Sequence, residues 1–92
     1  MSDIAKLTVA ETISLMIHRS GRSTKEIATA IGYANAGALK AIAAGAAKIP
    51  FELIEPFARA CGEHHALLLR AALDEYEPEI SRALAATCEV LS

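Results

Sequence analysis

Cys61, Glu63, His64, His65 and Cys88 have the residue types that hold a metal ion or move a proton, and they fall in the second half of a 92-residue chain. Their spacing argues against both uses. Neighbouring residues on a helix point about 100° apart, so His64 and His65 do not easily chelate one ion, and no polar nucleophile and base stand beside them. Cys61 and Cys88 lie far apart without ligand spacing, as free thiols of a reducing compartment do. His18, next to Arg19, suits a positive charge at a helix C-terminus or beside a phosphate. No enzymatic activity, no metal and no cofactor are expected.

A second set of residues is basic. Between residues 12 and 51 Arg19, Arg22, Lys25, Lys40 and Lys48 face Glu26 alone, a net +4, while the rest of the chain carries −6, so the overall −2 hides an asymmetry. Guanidinium and ammonium groups gathered in this way suit a phosphate backbone, and the expectation is a molecule with one basic end. The acids Asp74, Glu75, Glu77 and Glu79 are expected on a solvated surface facing away from that end.

The elements that must position these side chains are helices. The aromatics are few, Tyr33, Phe51, Phe57 and Tyr76, and there is no alternating β-branched run long enough for a strand. Thr8 to Glu11 and Ser23 to Glu26 have the S/T-x-x-E spacing of capping boxes. A first helix follows Thr8 to about Arg19 or Ser20, with Val9, Ile13, Met16 and Ile17 inward and Gly21 as its cap. A second, of about eight residues, buries Ile27, Ala28 and Ile31 and stops at Gly32. Asn35 is read as the N-cap of a third, with Leu39 and Ile42 inward and Gly45 at its end. Pro50 opens a fourth carrying Leu53, Ile54, Phe57, Ala58 and Cys61, in which Pro56 marks either a kink or the true start. A longer helix is expected from Glu63, and a last one from Pro78 with a stripe of Ile80, Leu84, Cys88 and Leu91. That stripe either closes on the monomer core or pairs with a second chain. There is no apolar run near the roughly 20 residues that a bilayer needs, and Asp3 and Glu11 stand where a signal peptide would be basic and then apolar, so a cytoplasmic protein without membrane contact is expected.

Two short helices around a tight glycine turn, with the small Ala28 at their crossing, are the helix-turn-helix pattern. From about Thr12 to Leu69, and above all in GRSTKEIATAIGYANAGALKAIAAGAAKIPFELIEPFARACG, the chain resembles the Cro/cI-type helix-turn-helix domain of the XRE family of phage and bacterial regulators. The residues that carry the likeness are Ala28, Gly32, Tyr33, Asn35, Leu39, Ile42, Gly45, Ile49 and Pro50. The resemblance implies an all-α, lambda-repressor-like bundle of five to six short helices. With it goes an expected division into a helix-turn-helix domain over residues 8–73 and a C-terminal helical extension over 74–92, whose stripe of Ile80, Leu84, Cys88 and Leu91 is the candidate dimerisation surface. The implied function is that of a sequence-specific transcriptional regulator of the repressor kind, a homodimer placing the helix over residues 35–44 in the major groove of double-stranded DNA. Its phosphate-touching position matches Thr24, and its base-reading positions match Asn35, Ala36, Gly37 and Lys40. There is one residue more between the turn glycine and the inward aliphatics than in the family's commonest form.

The stretch GYANAGALKAIAAGAAKIP is chemically thin for this task. Asn35 could pair with adenine and Lys40 with guanine or phosphate, and Ala36 and Ala38 offer only a methyl contact to thymine. Asn35 also has a competing use as a helix cap. Gly37, costly by up to about 1 kcal/mol in a helix interior, suggests close approach to a partner. Backbone contacts from Thr24, Lys25, Lys40, Lys48, Arg19 and Arg22 would then carry most of the affinity. The alternative is a degenerate helix-turn-helix acting as a protein adaptor or antagonist through Ala34, Ala36, Ala38, Ala41 and Ala44.

Overall fold

Thr8 and Ser23 start the first two helices by the same chemistry. Each hydroxyl accepts from the N–H three residues on, at Glu11 and Glu26, and each glutamate carboxylate accepts the cap residue's own N–H. In the computed structural model, which describes residues 7–91 and side chains as far as Thr87, these boxes open α1 (Val9–Ser20) and α2 (Thr24–Ala30). Next come α3 (Gly37–Ala43), a 3-10 turn at Phe51–Leu53 and α4 (Ile54–Cys61), followed by α5 (Ala66–Tyr76) and α6 (Pro78–Leu91). Every regular element among the described residues is helical, and none is long and apolar enough to cross a membrane.

Three boundaries differ from expectation. α3 begins at Gly37, and Asn35 caps it from outside by accepting the Gly37 N–H at 2.8 Å, so the helix is shorter than the span 35–44. Residues 63–65 are a turn rather than helix, because His64 Nδ1 accepts the Ala66 N–H at 3.1 Å and sets the start of α5 there. Pro50 opens a 3-10 turn and α4 begins only at Ile54, so Pro56 falls in the first turn of α4, where its missing N–H costs nothing, and marks the start rather than a kink.

α1 lies at the centre, against α3, α4 and α5, while α2 packs on α3 and α4. The core gathers Val9, Ile13 and Met16 with Ile27, Ala28, Leu39, Ile42, Ile54, Phe57, Ala58 and Cys61, much as the periodicity indicated, and adds Ile49, Leu68 and Ala72. Each large aliphatic taken fully out of water contributes about 1.5–3 kcal/mol. Thr12 is also buried; its hydroxyl donates to the Thr8 carbonyl at 2.8 Å, which satisfies the polar group within its own helix. Ile17, Ile31 and Leu53 sit at the edge, half-buried.

α6 is the outlying element, with α5 as its main neighbour. Pro78, Ser81, Arg82 and Ala85 face an open groove of about 550 Å³ shared with α5 and the start of α1. Ile80 and Leu84 lie on another face of the helix, 48% and 49% exposed, so the described part of the stripe does not close on this chain's core. Cys88 and Leu91 lie outside the described side chains. The expected division between residues 73 and 74 falls inside α5, whose last turn is tied to segments well before it in the chain. Val9 N–H donates to Glu75 at 2.9 Å, and Ile49 N–H donates to the Tyr76 hydroxyl at 3.1 Å.

Candidate nucleic-acid interface

α3 owes its position to two side chains. Leu39 and Ile42 are buried, which leaves Gly37, Ala38, Lys40 and Ala44 exposed on the opposite face and Ala36 and Ala41 half-buried. The helix is fixed at both ends. Gly32 takes φ +97° between α2 and α3, a conformation costly for any residue with a Cβ, and lets Tyr33 N–H reach the Ala28 carbonyl at 2.9 Å. At the far end Gly45, at φ +85°, turns the chain so that Ala46 N–H closes on Ala41, while the Ser14 hydroxyl of α1 donates to the Ala43 carbonyl at 3.2 Å. A slim helix is thus presented by a rigid mount.

The two polar residues at its start acquire definite roles. The side-chain oxygen of Asn35 carries the Gly37 N–H, while its amide NH₂ is left to donate. Gly37 is not an interior residue but the first of α3, and a Cβ there would come within 2.9 Å of the Asn35 oxygen, which would have to shift.

The basic residues do not form one end. Arg19, late in α1, is paired through its Nη2 and, at 3.1 Å, its Nε with the Glu63 carboxylate on the α4–α5 turn. Lys48 lies near the other end of α1, where a cavity of about 330 Å³ is lined by Ala10, Ile42, Lys48, Glu75 and Tyr76. Nine residues of helix separate Ala10 from Arg19, about 14 Å along the axis. The single basic end is therefore corrected to a charge divided along α1, with Arg19 compensated internally. Arg22, Lys25, Lys40 and Lys48 are exposed and form no ion pair among the described residues. Thr24 opens α2, half-buried, between Arg22 and Lys25.

Asp74, Glu75, Glu77 and Glu79 are all exposed, as expected, but the run is not remote from every basic residue. Asp74 accepts the Ser81 hydroxyl, joining α5 to α6, and Glu75 accepts the first N–H of α1, where a negative charge complements the helix dipole. Glu75 lines the same cavity as Lys48. Glu26 is held below its ordinary 4.5 by the Ser23 N–H, then by the Ser23 hydroxyl.

The metal-type residues do not converge. His64 and His65 stack with ring centroids 4.5 Å apart, in a turn rather than on a helix, and no group of three or more His, Cys, Asp or Glu suited to an ion occurs among the described residues. Burial pushes the Cys61 thiol up to about 11, with the Glu63 charge adding to the shift, so the thiolate is scarce at neutral pH.

Three contributors had no signal in the sequence: Ser14, Glu63 and Tyr76 act on residues 27 to 44 positions away. Comparison of the chain with family models, with curated proteins and with solved structures found no match.

Proposed function

We infer that this protein is a DNA-binding regulator that lays α3 in the major groove of duplex DNA and acts as a homodimer. The observation that carries this reading is the exposed face of α3, with Lys40 among residues no larger than alanine, held on a mount fixed by Leu39 and Ile42. A helix without bulk fits deep in a groove about 12 Å wide and lets flanking groups reach the phosphates on either side. The division of charge along α1 suits such straddling, with Lys48 to one side and Arg22 and Lys25 toward the other. Thr24 and Lys40 complete the backbone contacts, and the Asn35 NH₂ and Lys40 are the groups that sound base edges. Sequence preference then rests heavily on DNA shape. Contacts this few give weak binding by one chain, and a second copy joined through Ile80 and Leu84 adds a half-site about 34 Å away.

Selection from random duplexes at low and moderate salt tests this directly. Enrichment of a two-fold symmetric motif is the expected result. Lys40→Ala combined with Lys48→Ala is expected to weaken binding to every sequence and to flatten its salt dependence by about one unit per lost phosphate contact. The second reading, a protein adaptor, draws on the exposed methyls of Ala34, Ala38 and Ala44. No enrichment from a soluble, folded chain would favour it.

A further inference from the structure

Tyr76 closes α5, yet three of its interactions are with the loop that follows α3 and the 3-10 turn into which it leads. Its hydroxyl accepts the N–H of Ile49 at 3.1 Å, the Nζ of Lys48 stands 5.1 Å from its ring centroid, and Phe51 meets the ring edge-on with centroids 6.0 Å apart. Ile49 is itself buried, so the chain at this point is fixed from both sides, by its own side chain in the core and by a hydroxyl on its amide. Residues 46–48, by contrast, are exposed and outside any helix. The Lys48 ammonium thus stands over the aromatic face of Tyr76, and Glu75, fixed to the Val9 N–H, lines the same cavity.

We propose that Tyr76 is a positioning residue for DNA binding: it anchors the loop after α3 and pre-places the Lys48 ammonium toward the phosphate backbone. The inference rests on the DNA-binding reading and names a residue outside the helix-turn-helix that sets its affinity. A lysine alone on a loop must order a long side chain when it meets a phosphate. Over an aromatic face the ammonium is attracted to the ring and part of that ordering is already done. The ring occupies one side of the ammonium, and Lys48 is exposed, so a phosphate oxygen can replace water at the N–H donors that do not face the ring. Glu75, one residue earlier, fixes the same turn of α5 to the start of α1, so the platform does not drift with the loop it serves.

A double-mutant cycle of Tyr76→Leu and Lys48→Ala tests the proposal, with binding to the selected duplex followed by fluorescence anisotropy across a salt series. Each single variant is expected to lose about three- to tenfold in affinity and about one unit of salt slope, and the double variant to be no worse than either. Additive losses would overturn the proposal. Tyr76→Phe keeps the platform but not the acceptor. It is expected to preserve the salt slope while amide exchange at Ile49 speeds up at least tenfold. Unchanged protection at Ile49 would overturn the anchoring, and this measurement stands even if Tyr76→Leu fails to fold. A native chain that binds no duplex at all would instead overturn the DNA-binding reading, whatever Ile49 does.

Discussion

α3 and α6 are both amphipathic helices of alanine-rich sequence, and they use their apolar residues in opposite ways. In α3 the large side chains Leu39 and Ile42 point into the core and only methyl groups, a glycine and Lys40 face out. In α6 the large described side chains Ile80 and Leu84 face out, and small or polar ones, Pro78, Ser81 and Ala85, turn toward the groove beside α5. A stripe at helical spacing therefore says that something will be covered without saying by what. Methyls beside a lysine can stay in water at little cost and suit a wet, polar partner. Two half-exposed aliphatics on one face call for apolar cover, and in the proposed homodimer a second copy of the same helix would supply it.

The comparison can be broken from the α3 side with the largest effect. Leu39→Ala removes the anchor of the presented helix and is expected to cost about 2–5 kcal/mol in urea or thermal unfolding. A loss well under 1 kcal/mol would mean that α3 is not mounted as described. On the α6 side, Ile80→Ser with Leu84→Ser is expected to weaken self-association at least tenfold in sedimentation equilibrium. Both residues are half-exposed already, so intrinsic stability of the single chain should change by less than about 1 kcal/mol. A large loss of monomer stability would show that the stripe serves the chain itself.

Smaller effects sharpen the contrast. Asn35→Ala deletes the oxygen that carries the Gly37 N–H and should cost about 1 kcal/mol by thermal melting. If sequence preference shifts by more than that loss of stability accounts for, the Asn35 amide is also reading a base. The smallest effect concerns Glu26. Its carboxyl is depressed in the folded state, so its contribution is present above about pH 4.5 and fades as acid takes the pH through the lower folded value. Between pH 7 and pH 3 the native melting temperature should therefore fall further than that of Glu26→Ala.

Much of the fold was legible because its signals are local. Thr8 with Glu11, Ser23 with Glu26, and the apolar spacing from Val9 to Met16 each lie within one turn or two, where helix geometry alone brings them together. The site was legible less evenly. Lys25, Lys40 and Lys48 are exposed as the charge pattern suggested, but Arg19 is committed to Glu63 and Glu75 lines the same cavity as Lys48. A count of charges along a segment cannot show these facts, because it contains no partner from elsewhere in the chain.

The amino-acid sequence by itself determined which segments are helical, where most of them start and stop, and which side chains are large enough to need burial. Tertiary structure alone decided which stripe went inward, that Glu75 would reach Val9 across 66 residues, and that Tyr76 would stand beneath Lys48. Caps and helical periodicity are set by bonds between residues three and four apart. A contact between distant segments exists only once the core has brought them to one place.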